Sequence, residues 1–360
     1  MAATPSRRFT IDAAITRSRF EAARDEQLEE GLDVTALLEE DRDAAYVDLT
    51  FALLQNARFV GKQQANLSLS ANYERIEPQF RSVAASLQPD LQRAGLSLNG
   101  SAGPLYLQLS HARTEDNLEG IRSLLKTKTR ESSANLELAL APLFGVSRLA
   151  RWIPALTATA VHVHQFGAYV PEDGGFSASH VPDQISVAGQ GAIEWRLDKM
   201  RFGYRSSLSR QDNRQPGREN ADLRGDAGTV FFGFTPSERL DVSLESSLEH
   251  QRNLEMNQRD RMRRSGVTLS WRIWRDVALS GSYSWLFGRD TAWTNERSST
   301  EGFVDLSSGF SLWRTSAQQS RSRIFLRFNT RDASTFDRIF DARSASEGWS
   351  INSGVSMSVF

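Results

Sequence analysis

Cysteine is missing from all 360 residues. Its absence excludes disulfides, thiolate metal sites and thiol catalysis, but it leaves the compartment open. A prevailing charge is missing too. There are 43 basic and 44 acidic residues, for a net charge of −1, so no global field gathers nucleic acid, which is excluded as a partner. No stretch reaches the 18 or more apolar residues of a membrane-crossing helix, and mean hydropathy is −0.44. The opening M-A-A-T-P-S-R-R-F lacks the apolar centre of a signal peptide. Residues 1–6 therefore read as a linker, with a signal peptide or a periplasmic module expected upstream. Zinc signatures, phosphate-binding glycine loops, EF-hand loops and nucleophile motifs do not occur. No cofactor, no metal and no enzymatic activity are expected. His162 and His164, in V-H-V-H-Q-F, have no third ligand nearby in sequence and read as polar wall.

What the chain does have is alternation. Ile351, Ser353, Val355, Met357 and Val359 alternate with Asn352, Gly354, Ser356 and Ser358 before the chain stops on Phe360. A period of two is a strand with one apolar face. Sixteen segments carry it: 7–21, 44–56, 65–76, 91–101, 104–114, 131–141, 153–166, 184–197, 200–210, 224–234, 240–251, 261–273, 277–288, 300–313, 321–330 and 348–360. Each has about the 9–11 residues, or slightly more, that a tilted strand needs to cross a bilayer. The connectors alternate in length. Long ones such as 22–43, 77–90, 115–130, 167–183, 211–223, 289–299 and 331–347 face short ones such as 102–103, 198–199, 235–239 and 274–276. The connector 142–152, apolar and basic, is the exception and reads as a short amphipathic segment. A soluble β-sandwich has no reason to alternate in this way.

Turning the apolar set of each strand towards lipid leaves a small, polar inward set. Its charged members include Asp48, Arg93, Glu137, Glu194, Arg196, Arg201, Arg205, Asp241, Glu245, Arg272, Asp305 and Arg327. A charge on the lipid face costs about 2–4 kcal/mol near the midplane, so this parity is strongly set. Because both signs share the inner face, a mixed transverse field is expected rather than an anion ladder. Sixteen strands enclose an aqueous lumen unless something fills it. The candidate constriction is the loop 115–130, where Leu118, Ile121, Leu124 and Leu125 have helical spacing; a surface helix over the rim is the blander alternative. Phe234, Trp274, Trp313 and Phe360 fall near one end of the strands and Trp285 near the other, as an aromatic girdle would. The acidic run from Glu21 to Asp43 reads as a solvated loop.

The closing strand, the sixteen segments and the alternating connectors together resemble bacterial outer-membrane β-barrels over essentially the whole chain. The resemblance implies an all-β fold: a single closed antiparallel transmembrane β-barrel of about 16 strands over residues 1–360. It would lie in outer-membrane lipid, inserted by machinery that reads the C-terminal strand. The expected function is a pore for hydrophilic solutes. The alternative is the anchor or exit pore of a larger secretion, polysaccharide-export or surface-assembly complex, which would bring periplasmic or surface partner proteins.

Overall fold

The computed structural model describes residues 2–6, 8–20, 40–58, 63–80, 89–144, 152–171, 180–218, 220–290, 292, 294–310 and 320–359. These residues form seventeen strands: β1 Ala2–Ser6, β2 Phe9–Phe20, β3 Glu40–Arg58, β4 Gln64–Ile76, β5 Leu91–Ala102, β6 Leu105–Glu115, β7 Lys126–Ala139, β8 Ala155–Tyr169, β9 Asp183–Leu197, β10 Met200–Asn213, β11 Leu223–Ser237, β12 Leu240–Asn253, β13 Gln258–Arg272, β14 Val277–Asp290, β15 Asn295–Phe310, β16 Ser320–Asp337 and β17 Ala342–Val359. A 3-10 turn spans Ala141–Phe144. Among the described residues no helix is long and apolar enough to cross a membrane. Each of the sixteen alternating segments coincides with one of β2 to β17. The departure is at the start, where residues 1–6 were expected as a linker. Ala2–Ser6 instead folds back antiparallel on β2, with Ala2 opposite Asp12 and Ser6 opposite Phe9.

The chain divides into two compact units. The first comprises residues 1–136, 160–187 and 212–219. In it β2 to β6 form an antiparallel meander in which each strand pairs with the next. Residues directly opposite one another share a face, so the register sorts the side chains. Phe9, Phe51, Leu69, Leu98 and Leu109 form one row. Thr10, Thr50, Ser70, Ser97 and Ser110 form the next, on the other face. Towards its end β3 slips register twice, between Ala52 and Ala57, as bulges do where a strand bends.

The second unit comprises residues 137–159, 188–211 and 220–360. Its meander runs from β10 to β17 with registers that hold over 12 to 18 pairs per strand pair. One face carries Phe202, Phe232, Leu244, Val267 and Tyr283 in a single row. Leu279, Leu306 and Leu326 follow in another row, and Val304, Phe328 and Ile351 in a third. Most of these side chains are exposed, Leu326 at 50% and Ile351 at 60%. On β14 the apolar face runs from Leu279 to Phe287, nine residues and so about 30 Å of strand. Tilted, that matches the apolar band of a membrane-crossing sheet. Outward exposure of large apolar groups over this height has a physical reason only if lipid covers them.

Connector lengths depart from strict alternation. In the second unit the connectors 289–299 and 331–347, expected to be long, are four residues each, 291–294 and 338–341, because the flanking strands continue well past the apolar band. The sequence hid this continuation, since those strand ends are polar on both faces, like loops.

Candidate functional site

The polar face of the strands is where the chemistry lies, and it is set by parity and register. In the first unit Asp48 stands between Asp12 and Asn72, and Arg93 between Glu74 and Thr114. The Ser110 and Ser133 hydroxyls are hydrogen-bonded at 2.6 Å, which puts Ser133 of β7 on the same face. Alternation along β7 turns Glu137, where the second unit begins, to the same side of that strand as Ser133. In the second unit Trp195 stacks on Phe202 at 5.4 Å on the apolar face, which turns Glu194 and Arg196 to the polar one. Arg201, Arg205, Asp241, Glu245, Arg272, Asp305 and Arg327 all fall on that face by register. All twelve charged positions read from the sequence therefore lie on the polar side of their strands.

Few of them meet. Glu194 pairs with Arg196 along one strand, and Thr235 donates to Asp241 at 2.7 Å. The built cluster is on β15 and β16. Asp305, 1% exposed, accepts from Arg323 at 3.1 Å and from Arg327 at 3.0 Å. Both guanidiniums are about half exposed. One acid buried beneath two arginines leaves a net positive charge directed outwards from the wall.

Three aromatic rings on this face were missed. Arg327 lies over Phe303 at 5.4 Å and Arg205 over Phe231 at 5.6 Å. Phe325 covers Gly354, its cross-strand partner; a Cβ there would meet the Phe325 ring at 2.8 Å. Phe231 covers Gly203 in the same way. The signal lies in cross-strand aromatic–glycine pairing, which cannot be read before register is known. Between the charges run small polar rows. Ser243, Thr268 and Ser282 stand in line with Phe303, Asn329 and Ser350, and Asn329 donates to Ser350 at 3.1 Å. The β14 to β17 part of this face lines a cavity of about 760 Å³ bounded by Ser282, Ser284, Glu301, Phe303, Asn329 and Arg331 among others.

The loop that carries Leu118, Ile121, Leu124 and Leu125 is not helical. It is a pair of turns fastened by Asn117, which is 2% exposed. The Asn117 amide donates to the carbonyls of Ile121 and Leu124, both at 3.0 Å, and its oxygen accepts from the Ile121 N–H at 2.8 Å. Asp90 accepts from the backbone of Asn117 and Leu118. Ile121 and Leu124 are exposed. An asparagine that satisfies three backbone groups competes with helix formation, which explains the failure of the spacing signal.

Of the girdle residues, Phe234 and Trp285 lie on the apolar face, and Trp274, 68% exposed, sits in the turn between β13 and β14. Trp313 and Phe360 lie outside the described residues. Trp349, 70% exposed and opposite Thr330, lies on the apolar face as well. Beyond it the same face turns acidic at Glu347, opposite Asp332. His164 bonds to Asp183 at 3.3 Å, and no metal-type cluster of side chains occurs among the described residues.

An antiparallel sheet, apolar on one face for the height of a bilayer core and polar on the other, defines the outer-membrane class of protein. The chain is an all-β outer-membrane protein. No family model matches it, and no curated protein does. Three remote solved structures align along most of its length. The outer-membrane protein OmpT of Vibrio cholerae is 9% identical, with a TM-score of 0.36, and 99% of each chain is covered. The outer membrane channel DcaP of Acinetobacter baumannii is 9% identical, with a TM-score of 0.38, and all of each chain is covered. A bacterial polysaccharide outer membrane secretin is 9% identical, with a TM-score of 0.39, covering 89% of this chain and 91% of that one.

Proposed function

We propose that β2 to β17 close into one sixteen-stranded barrel with the polar face inward, and that the protein is a pore for hydrophilic solutes. Closure brings β17 against the part of β2 that β1 leaves free. The physical support is the cost of the alternative. An open strand edge in hydrocarbon leaves a row of unpaired N–H and C=O groups at several kcal/mol each. The observation that supports the pore reading is that much of the polar face is small and polar, as in the run Gly233, Ser243, Thr268 and Ser282 across β11 to β14. Side chains this short do not fill a barrel of that width.

The Asp305–Arg323–Arg327 cluster gives the wall a cationic spot, so solutes bearing a carboxylate or phosphate are favoured over cations. Purified protein in a planar bilayer should pass a steady current with weak anion preference, and Arg327→Gln should reduce that preference. A silent bilayer would sink the passive pore and turn the reading towards an exit pore that opens only within a larger assembly.

A further inference from the structure

The polar face of β14 to β17 has room that its own side chains do not take. Elsewhere on this face bulk covers glycines: Phe231 lies over Gly203, Arg201 over Gly233 and Phe325 over Gly354. Gly348 is bare, for a Cβ built on it meets nothing within 4 Å. It ends a row in which Ser284, Glu301, Arg331 and Gly348 stand opposite one another in turn. Two residues along the strands, Ser282, Phe303, Asn329 and Ser350 form the next row. At the usual strand geometry the rows are about 7 Å apart and about 14 Å long. Together they line the cavity of about 760 Å³, a volume in the range of small-molecule sites. Gly302, Thr330, Glu347 and Trp349 also border it, but parity places them on the other face.

The lining is balanced in charge. Glu301 and Arg331, both exposed, stand directly opposite each other, so one acid and one base cancel and the cavity favours neither sign of ion. Around them are three serine hydroxyls and the Asn329 amide, which donates to Ser350 at 3.1 Å. Donors and acceptors are therefore both on offer. Among them lies one ring. Arg327 covers part of Phe303 at 5.4 Å and stays outside the cavity, which keeps the rest of the ring surface. We propose that the cavity is a subsite for a neutral saccharide, with one sugar ring lying on Phe303 and over Gly348 and its hydroxyls on Glu301, Asn329 and Arg331. A sugar combines hydroxyls, each a donor and an acceptor, with an apolar C–H face for the aromatic ring. An ion gains nothing from a cancelled pair, and an apolar solute would strip water from polar groups without replacing it. A free amino acid would use the acid and the base but leave the amide and the hydroxyls unpartnered. The subsite rests on the pore reading only in that this face meets water.

The test is saturation-transfer NMR on the protein in detergent, which needs no conduction, with glucose, galactose, sucrose and lactose as probes and L-leucine for comparison. At least one sugar should bind the wild type, and its Kd should rise about tenfold in Phe303→Leu through loss of the ring contact. Gly348→Leu should weaken binding at least as much by filling the cavity. Its Tm should be no lower than that of the wild type, because the new side chain enters open space. Binding of none of the four sugars would overturn the subsite, as would equal affinity in Gly348→Leu. Tighter binding of leucine than of every sugar would overturn it too, making the cavity an amino-acid site. Sugar binding by a protein that is silent in the bilayer would support the subsite and count against the passive pore alone.

Discussion

The two units finish the long-connector ends of their strands in opposite ways. In the first unit, long connectors are tied down by a small buried network. Ile76 is 2% exposed, Phe80 4% and Asn117 2%. Glu77 accepts from the Asp43 N–H at 3.0 Å, and Arg42 pairs with Glu119. In the second unit the strands run on and close in four-residue turns, each opened by a residue that caps the turn backbone. Asn253 accepts from the Met256 N–H, Asp290 from Thr294, and Asp337 from Ile339 and Phe340. Two of these turns end on a left-handed residue, Asn257 at φ 48° and Asp341 at φ 49°, a conformation that Asn and Asp tolerate best. The membrane-crossing wall is built alike in both units. A wall fixed by alternation and register therefore leaves its rim free to be either a packed cap or a bare hairpin.

This contrast predicts an order of effects. Phe80→Ala should be the most damaging, at about 3 kcal/mol, since it empties the centre of the cap; a urea melt followed by tryptophan fluorescence would measure it. Asn117→Ala should cost about 2 kcal/mol by leaving buried backbone groups without partners. It should also expose the 116–125 connector to protease while the strands stay protected. Asp337→Ala should cost about 1 kcal/mol, because its hydrogen bonds are exposed and water replaces them. Four Gly/Ser residues inserted between Ile339 and Phe340 should cost least, about 0.6 kcal/mol, the entropy of a doubled loop. If the hairpin changes prove as costly as the cap changes, the distinction between the two rims fails.

What the sequence made legible follows the same division. The strands of the wall could be read because one face must be apolar, so Leu105, Leu107 and Leu109 or Ile324, Leu326 and Phe328 announce themselves. The sidedness of the twelve charged positions came with them, from parity alone. The strand ends beyond the band, 331–337 and 342–347, have no apolar face and looked like loop. The Leu118 to Leu125 spacing mimicked a helix because Asn117 looks unremarkable until its three backbone partners are seen. One row of arginines, in which Arg210 stands opposite Arg224, Arg224 opposite Arg252 and Arg252 opposite Arg259, was hidden for a different reason. Each of Arg210, Arg224, Arg252 and Arg259 is an ordinary solvated charge in its own strand. Only the register, which depends on three intervening turns, puts them in line. Alternation is local information and register is not, so the wall could be read while the sites on it could not.

The central claim is that β16 crosses the membrane with one face in water and one in lipid. The absence of cysteine makes this directly testable with single-cysteine variants at 324–329. In proteoliposomes, a charged, water-soluble thiol reagent should label Phe325→Cys, Arg327→Cys and Asn329→Cys. It should leave Ile324→Cys, Leu326→Cys and Phe328→Cys unmodified. Uniform labelling, or labelling of the opposite three, would contradict the account.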